Sequence, residues 1–513
     1  MIDATPLLRG YTRLRMRRLA RKSAVAHQKD TLLALVRQAQ DTAFGKDHGF
    51  STITTVDDFQ SRVPLRDFED FKREYFDPRF PVLDDVTWPG RIPFFAVSSG
   101  TASGRTKHIP VSRQMVRSNV RAGTDLLGLH ALSHPKSAVL SGKSFMLGGS
   151  VAMEKLPGGV RSGDLSGIAR LNNPRWSGPF VFPSLNDALE ADWERKMDRL
   201  ARLSLKEPIR VLAGTPSWLL LFFERLQAIT GGEGNIKSAY PGLELVVYGG
   251  MSFAPYRDTF RSWFPGDDVA WREVYSASEG FVAIDDGAGG PNGAMRLNLD
   301  VGLFYEFVPL SELESPSPKR YWLGNAPAGE YALVLSSCAG LWSYRIGDVV
   351  EFVPGDVPRV RVCGRTAYTL NAFGEHLSGA EIERALISAG HSIGKPLAEF
   401  SVTPVFPTND TATGQHLFVV ELSALPGPSQ QQEFAAALDR ALADHNEDYE
   451  VHRRGNVQLL PPEVVFVPPG AFAGWMRSRG KLGGQNKVPR VVNEGPVRDS
   501  LLAFARAQSS ERV

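Results

Sequence analysis

Residues 98–107 read Ser-Ser-Gly-Thr-Ala-Ser-Gly-Arg-Thr-Lys, and they follow the apolar run 92–97. The apolar run predicts a buried strand, and the glycines and hydroxyls after it predict a tight turn. Glycines let backbone amides approach an anion, hydroxyls donate hydrogen bonds to it, and a lysine adds positive charge. We therefore predict a phosphate-binding loop whose contact residues are Ser98, Ser99, Gly100, Thr101, Ser103, Gly104 and Lys107. An ordinary surface turn is the alternative for such a loop taken alone.

The same stretch does not match the phosphate loop of nucleoside triphosphatases. That loop requires glycine, four further residues, and then Gly-Lys-Ser or Gly-Lys-Thr. Counting from Gly100 puts Arg105 where the second glycine must stand. The turn therefore indicates another class of phosphate-binding protein.

Two shorter segments carry other groups that a nucleotide needs. Residues 275–279 read Tyr-Ser-Ala-Ser-Glu, and residues 344–348 read Tyr-Arg-Ile-Gly-Asp. A carboxylate beside a hydroxyl suits Mg²⁺, which takes oxygen ligands and usually keeps substrate phosphates among them. An aspartate after a tight glycine turn can accept both hydroxyls of a ribose, each charge-assisted bond being worth about 1.5–3 kcal/mol. Taken singly, the first is a common loop pair and the second is a capped strand end with a surface Arg-Asp pair.

Together these segments resemble the motifs of a known family. The spacing S-S-G-T-x-x-G-x-x-K, the sequence Y-A-S-S-E (here with its second and third residues exchanged) and the sequence Y-R-x-G-D are used by the plant auxin- and jasmonate-conjugating acyl acid amido synthetases. That family is a branch of the adenylate-forming enzymes. The resemblance implies an α/β fold with a large layered N-terminal domain and a small C-terminal α/β domain. It also implies ATP and Mg²⁺ as cofactors.

The resemblance assigns roles to single residues as well. The implied adenine-binding residues are Tyr248, Gly249, Gly250, Met251, Tyr275 and Ser278. The implied ribose-binding residues are Asp348 and Arg365, and the implied metal ligand is Glu279. Residues 485–490 resemble the family's Q-x-K-x-P-R segment, which implies that Lys487 is a catalytic residue. The other predicted catalytic residues are Glu279 of the second motif and Arg345 of the third. Lys487 would steady the negative charge on the substrate carboxylate and the α-phosphate, with Lys481 as its competitor.

The pocket for the acyl group is predicted only from position in the fold. Its candidates are apolar or aromatic residues close in sequence to the phosphate loop and the adenine segment, namely Val116, Val120, Trp218 and Phe253. Their character would suit an aromatic or fatty carboxylic acid. Each is also a residue type that commonly belongs to an ordinary core.

A domain boundary is predicted at residues 365–374. Arg365, Gly374 and Glu381-Ile382-Glu383 resemble the hinge motif of the superfamily, although Ala367 stands where aspartate or lysine is usual. The pattern that follows indicates a compact α/β unit, with helices at 380–389 and 431–445 and strands at 399–405, 416–422 and 463–467. We therefore predict a large domain over 1–364 that carries the ATP motifs, a hinge over 365–374, and a small mobile domain over 375–513.

Composition narrows the class of protein further. The 513 residues are 42% hydrophobic and 22% charged, which is typical of a globular protein with a large core. The 58 basic and 56 acidic residues give a net charge of +2, so we expect no general attraction to nucleic acid or to membranes. The two cysteines, Cys338 and Cys363, give no disulfide framework and favour a reducing cytoplasm.

We predict that the protein is an ATP-dependent ligase. The resemblance implies that it adenylates a carboxylic acid with release of pyrophosphate and then transfers the acyl group to an amine, such as an amino acid. Positioning and charge neutralisation drive such steps, and no protein nucleophile is needed. The expected partners are therefore small molecules, and the expected assembly is a monomer or weak dimer. The alternatives are an acyl-CoA ligase that uses the same adenylate and a nucleotide-binding protein without turnover.

Overall fold

The structure is a computed structural model, and it describes residues 2–99, 106–148, 152–188, 193–231, 236–250, 253, 256–264, 266, 268–289, 293–313, 315–366, 369–370, 377–405, 414–453, 459–481, 487–493 and 495–510. The chain divides into two compact units. The first contains Met1–Ser98, Thr106–Met251 and Trp263–Val362, and the second contains Ser99–Arg105, Ser252–Ser262 and Cys363–Val513. The predicted hinge lies largely outside the described residues, so the boundary at 365–374 stays a prediction.

The first unit begins with short helices that carry their own start signals. They are α1 (Thr5–Leu19), α2 (Ala24–Ala39), α3 (Ala43–Asp47), α4 (Val56–Arg62) and α5 (Phe68–Phe71). The side chain of Asp67 accepts a hydrogen bond from the backbone N–H of Asp70, and the side chain of Asp70 accepts one from the backbone N–H of Asp67. This reciprocal cap satisfies two amide groups at the helix start and fixes where α5 begins.

The rest of the first unit is a layered α/β arrangement. Its helices are α6 (Arg113–Ser133), α7 (Leu165–Leu171), α8 (Leu185–Ala188), α9 (Trp193–Ser204), α10 (Pro216–Thr230), α11 (Ile236–Ala239) and the end of α12 (Arg257–Trp263). Its strands are β1 (Phe94–Ser99), β2 (Thr106–Val111), β3 (Lys143–Met146), β4 (Glu154–Lys155), β5 (Arg161–Gly163), β6 (Val181–Phe182), β7 (Ile209–Gly214), β8 (Leu245–Gly249), β9 (Ala270–Ala277), β10 (Gly280–Ile284), β11 (Met295–Leu297), β12 (Leu303–Pro309), β13 (Tyr321–Trp322), β14 (Gly329–Ser337), β15 (Tyr344–Val353) and β16 (Arg359–Arg365).

These strands form two sheets among the described residues. The large sheet has the order β13-β12-β14-β15-β16-β11-β10-β9-β8-β7-β3-β6, and the small one has the order β2-β1-β5-β4. Strands β6, β3, β7, β8 and β9 run parallel to their neighbours, whereas β9 to β11 and β12 to β15 pair antiparallel. Because parallel strands end at the same edge of a sheet, the segments after β7, β8 and β9 meet at one edge.

The core of the first unit is rich in aromatic side chains. Trp342 is fully buried, and its ring contacts Phe50 edge-on with the ring centroids 4.7 Å apart. The indole N–H donates to the carbonyl oxygen of Thr87 at 3.0 Å, so the one polar atom of this side chain is satisfied. Phe44 and Phe59 lie against the same ring. This packing holds the start of β15, which carries one of the predicted motifs.

The second unit contains a small sheet with helices packed on it. Its described elements are β17 (Thr369–Leu370), β18 (Leu377–Ser378), α13 (Gly379–Ser392), β19 (Leu397–Val405), β20 (Gln415–Leu422), α14 (Pro428–His445), α15 (Glu447–Arg453), β21 (Glu463–Val467), α16 (Ala471–Ser478) and α17 (Pro496–Ser510). Strand β20 pairs antiparallel with β19 and parallel with β21. The two helices and three strands predicted for this region are confirmed with ends within three residues. No described helix is both long and apolar enough to cross a membrane.

Candidate functional site

The carboxyl end of β8 carries the predicted adenine-binding glycines. The register pairs Gly249 with Val274 on β9. A β-carbon on Gly249 would lie 2.3 Å from the carbonyl oxygen of Val274, so no larger residue fits without moving the backbone. Gly250 follows with a φ of 82°, which is in the left-handed region that favours glycine. The two glycines therefore let the chain turn closely at this edge. Met251 lies outside the described residues.

The second motif begins on β9 and ends in the hairpin to β10. Tyr275 follows Val274 directly, so it lies at the same edge as Gly249. Ser278 and Glu279 form the turn between the two strands, and they are 9% and 8% exposed. The Glu279 carboxylate is therefore largely withdrawn from water at the edge where the parallel strands end.

A hydrogen bond joins the second and third motifs. The hydroxyl of Tyr275 donates to Oδ2 of Asp348 on β15. Strands β10, β11 and β16 separate β9 from β15 in the sheet order, so the sheet curves to bring the two side chains together. Two groups that are 73 positions apart in the sequence therefore share one hydrogen bond.

Asp348 owes its position to a bulge. The sequence predicted a tight glycine turn before this aspartate, but β15 continues through it as a strand. The register with β14 shifts between Ala332 and Val334, and Gly347 has a φ of 87°. A bulge re-aims the side chains next to it, which explains why a glycine precedes the aspartate.

Arg345 lies on the same strand and faces α5. Its backbone N–H donates to the carbonyl oxygen of Arg66 at 2.8 Å, and its Nη2 lies 3.6 Å from Oδ2 of Asp67. The Nε atom of Arg345 is buried and has no hydrogen-bond partner among the described residues. Burying such a donor unpaired is costly, so this nitrogen is available to an incoming anion. Arg345 is thus held by its backbone and retains hydrogen-bonding capacity.

Lys107 lies close to the same helix start. It is half-buried on β2, and its Nζ lies 5.7 Å from the centre of the Phe68 ring. Phe68 is the first residue of α5 and follows Asp67, which faces Arg345. Two predicted cationic residues therefore lie near one helix start. Ser98 and Ser99 of the predicted phosphate loop are the last two residues of β1. The other loop residues before Lys107, namely Gly100, Thr101, Ser103 and Gly104, lie outside the described residues.

Apart from residues of the phosphate loop, three predicted site residues belong to the second unit, and so does the competitor Lys481. Arg365 is half-buried at the end of β16. The Phe253 ring contacts the Phe260 ring edge-on, with the ring centroids 5.1 Å apart. Lys487 is exposed, as is its competitor Lys481. The roles of all four residues stay predictions.

The other acyl-pocket candidates belong to the first unit. Val116 on α6 is 9% exposed and belongs to the main hydrophobic core, while Val120 on the same helix is half-buried. Trp218 is half-buried near the start of α10, which follows β7 at the edge where the parallel strands end. By location, Trp218 and Val120 are better placed than Val116 to meet a ligand.

Sequence reasoning missed several residues that the structure places near the motifs. Asp67 and Phe68 approach Arg345 and Lys107, yet they lie far from both in sequence. The only local signal was the capping pattern that starts α5. Arg490 ends the Q-x-K-x-P-R segment, and the motif assigned it no role.

The donor set at Glu279 suits a magnesium ion carried by ATP. No group of three or more histidine, cysteine, aspartate or glutamate side chains that could hold a metal occurs among the described residues. Mg²⁺ in nucleotide sites is typically bound by one or two carboxylates together with phosphate oxygens and water. A single buried carboxylate beside the hydroxyl of Ser278 matches that pattern.

The fold is that of the adenylate-forming enzymes. A solved structure of GH3.15 acyl acid amido synthetase superposes with a TM-score of 0.77 at 19% identity, covering 93% of each chain. A structure of 2-hydroxyisobutyryl-CoA ligase in the postadenylation state superposes with a TM-score of 0.59 at 14% identity, covering 93% of this chain and 91% of the other.

Models of one family match most of the sequence. The N-terminal domain of the GH3 family matches residues 14–269, its central domain matches 297–365, and its C-terminal domain matches 380–496. The chain belongs to the GH3 family.

Two curated relatives are plant proteins. Indole-3-acetic acid-amido synthetase GH3.3 of Arabidopsis thaliana is 23% identical over 61% of this chain and 56% of its own length, so the match spans little more than half of that relative. Probable indole-3-acetic acid-amido synthetase GH3.2 of Oryza sativa subsp. japonica is 23% identical over 92% of this chain and 89% of its own length.

Proposed function

We propose that the protein is an ATP-dependent acyl acid amido synthetase. It adenylates a carboxylic acid, releases pyrophosphate, and transfers the acyl group to an amine, such as an amino acid. Membership of the GH3 family supports the reaction class, because relatives in that family are named as amido synthetases. The observation that carries the proposal is the hydrogen bond between Tyr275 and Asp348, which joins two motifs expected to bind one nucleoside.

Different residues at the sheet edge would bind the adenine, the ribose and the phosphates of ATP. Gly249 and Gly250 leave room for the adenine against backbone, and Tyr275 orients the carboxylate of Asp348 toward the ribose hydroxyls. Lys107 and Arg345 both lie near the start of α5, where their charges would offset those of the phosphates. Fixed groups of this kind need little rearrangement as negative charge is redistributed during the reaction.

Magnesium would be held by Glu279 and the phosphates of ATP. When bound, it neutralises phosphate charge and orients the pyrophosphate leaving group. The low exposure of Glu279 strengthens its attraction for a cation, because water screens a buried charge less. Lys487 would approach from the small domain to steady the carboxylate and the α-phosphate.

The proposed function also suggests domain bounds, a location and an assembly state. We propose that residues 1–364 form the adenylation domain, that 365–374 form a hinge, and that 375–513 form a domain that turns between the two half-reactions. Cys338 is buried and Cys363 is half-buried. Burial raises the pKa of Cys338 to about 12, so that this thiol is protonated and unreactive. Two cysteines in 513 residues give no disulfide framework, which favours a cytoplasmic location, and we propose a monomer or weak dimer there.

The test begins with the carboxylic acid. Purified protein would be incubated with ATP, Mg²⁺ and single aromatic, fatty or hydroxy acids, and pyrophosphate release measured with no acceptor, with a mixture of amino acids, and with coenzyme A. We expect acid-dependent release that amino acids accelerate. Asp348→Ala should abolish it, because the ribose loses both of its acceptors. Glu351→Gln is the matched control, since Glu351 lies three residues further along β15 and pairs with Arg361.

Each outcome separates the candidate functions. Acceleration by coenzyme A and not by amino acids would identify a thioester ligase, the activity named for a protein of the same fold. Nucleotide binding without pyrophosphate release for any acid would contradict the proposal and favour a binding protein. Equal loss in Asp348→Ala and Glu351→Gln would contradict the role given to Asp348.

A further inference from the structure

The Q-x-K-x-P-R segment ends in an arginine whose role the motif alone does not explain. Lys487 is the proposed adenylation lysine, and Arg490 follows it by three residues. Lys487 is exposed, whereas only 13% of the Arg490 side chain is. Two cations on one short segment therefore have opposite surroundings, which indicates different tasks.

The backbone around Arg490 is fixed to β19. The hydroxyl of Ser401 donates to the carbonyl oxygen of Pro489 at 2.6 Å. The backbone N–H of Val402 donates to the carbonyl oxygen of Arg490 at 2.8 Å. The N–H of Val492 returns a bond to Val402 at 2.9 Å. Residues 489–492 are thus attached to the sheet of the second unit like a short parallel strand.

The Arg490 guanidinium lies in a buried acidic cluster. Its Nη1 donates to Oε2 of Glu383 at 2.6 Å, and its Nε lies 3.6 Å from Oε1 of Glu399. The side chains of Glu383 and Glu399 are each 14% exposed, and the guanidinium lies over the Phe400 ring at 4.8 Å. Removing one partner of a buried ion pair leaves the other charge uncompensated, which is strongly destabilising. Displacing Arg490 from this cluster is therefore unfavourable.

Tyr256 completes the cluster. It is 4% exposed, and its hydroxyl donates to Oε2 of Glu399 at 3.4 Å. Burial raises the pKa of Tyr256, so the hydroxyl keeps its proton and acts as a donor. Burial also raises the pKa of Glu399, and Arg490 opposes that rise only in part. Tyr256 follows the adenine-site glycine Gly250 by six residues in sequence, and it belongs to the second unit.

We propose that Arg490 is a positioning residue for Lys487, with Glu383 and Glu399 as its anchors and Tyr256 as the support of Glu399. The assignment rests on the proposed function, since it takes Lys487 as the adenylation lysine. Three residues of extended chain reach only about 10 Å, so an anchored Arg490 restricts the volume that the backbone of Lys487 can occupy. Loss of the anchor leaves the ammonium intact but presents it less often in the productive position.

The two half-reactions provide the test. Using the best acid found above, adenylation would be measured by exchange between pyrophosphate and ATP, and amide formation would be measured from pre-formed acyl-adenylate and amino acid. Arg490→Gln should lower the kcat of adenylation at least 10-fold with little change in the KM for ATP. Amide formation from supplied adenylate should stay within about 3-fold of the wild-type rate, as it should for Lys487→Ala. Arg490→Lys should recover part of the loss, because it keeps the charge without the forked geometry.

A double-mutant cycle distinguishes positioning from a general structural effect. If Arg490 acts through Lys487, adding Arg490→Gln to Lys487→Ala should cost less than about 3-fold more in adenylation, because the group to be positioned is gone. Asp439→Asn is the matched control. Asp439 pairs with Arg453 at 2.5 Å in the same unit, at similar burial, with the two side chains 24% and 14% exposed. It should lower the melting temperature and affect both half-reactions alike.

Several results would overturn the assignment. Full adenylation activity in folded Arg490→Gln, equal losses in the two half-reactions, or additive losses in the cycle would each contradict it while leaving the proposed function in place. If Arg490→Gln does not fold, Arg490→Lys and Tyr256→Phe carry the same comparison. Wild-type protein that forms no adenylate with any acid would instead overturn the proposed function, and this assignment with it.

Discussion

Replacing Tyr275 with phenylalanine removes one hydroxyl and leaves the ring. In the wild-type protein, that hydroxyl donates to Asp348 across the curved sheet. Tyr275 is 7% exposed and Asp348 is half-buried, so the ring should stay in place while the carboxylate loses the hydrogen bond from Tyr275. We expect the variant to bind ATP more weakly, because the ribose then meets a carboxylate that this hydroxyl no longer helps to orient.

The magnitude follows from the contact. A hydrogen bond to a charged group contributes about 1.5–3 kcal/mol, and the partial exposure of Asp348 lets water replace some of it. A net loss of about 1–2 kcal/mol corresponds to a rise of about 5- to 30-fold in the Kd for ATP. Calorimetric titration with ATP and Mg²⁺ would measure that constant, and urea unfolding would measure the free energy of unfolding in parallel.

Tyr305→Phe provides the control. Tyr305 is also buried in the large sheet, and its hydroxyl donates to the carbonyl oxygens of Asn298 at 2.7 Å and Val282 at 3.1 Å. Its loss should lower the free energy of unfolding by about 1–3 kcal/mol without changing ATP affinity. Unchanged ATP affinity in Tyr275→Phe, or an equal change in both variants, would refute the role given to the Tyr275–Asp348 contact.

Three further predictions address the same sheet and its surroundings. Gly249→Ala should abolish ATP binding and lower the free energy of unfolding by about 1–3 kcal/mol, because its methyl group would lie 2.3 Å from the carbonyl oxygen of Val274. The control Gly123→Ala, with open space around its β-carbon, should bind ATP normally. Glu306→Gln should cost about 3–5 kcal/mol in urea unfolding and leave ATP affinity unchanged, because it breaks a buried pair with Arg320 in which Glu306 is 0% exposed; unaltered stability would contradict this. Burial lowers the pKa of His130 to about 4, so wild-type stability should fall by about 3 kcal/mol as the pH drops from 6.5 to 4, since only the unfolded state gains the proton there. Unfolding of His130→Phe across that range should lack this slope, and an equal slope in both proteins would exclude His130 as its source.

Local signals predicted the elements of the second unit well. The capping box at Ser378 with Glu381 marks the start of α13, and the alternation of apolar residues marks β19 and β20. Such signals act between residues a few positions apart, so a sequence displays them directly. The same holds for Gly249 and Gly250, where the strand and the glycines that end it are adjacent in sequence.

The contacts that complete the site depend on residues that are distant in sequence. Arg345 meets Asp67 because the backbone of Arg66 is hydrogen-bonded to the start of β15, and Tyr275 meets Asp348 because the large sheet curves. The sequence around each residue contains no pattern that predicts its partner. The glycine before Asp348 was predicted to make a turn, whereas it makes a bulge, because the pairing of β15 with β14 is not visible in either strand alone.

A motif and its supporting contacts differ in the same way. Lys487 was predicted because the family resemblance assigns a role to the lysine of the Q-x-K-x-P-R segment, while Arg490 in the same segment received no role. Its meaning depends on Glu383 and Glu399, which lie on α13 and β19 and approach it only after the second unit folds. In our proposal, the exposed lysine supplies the charge and Arg490 restricts where that charge can go. A motif of this kind records both requirements, and only the structure separates them.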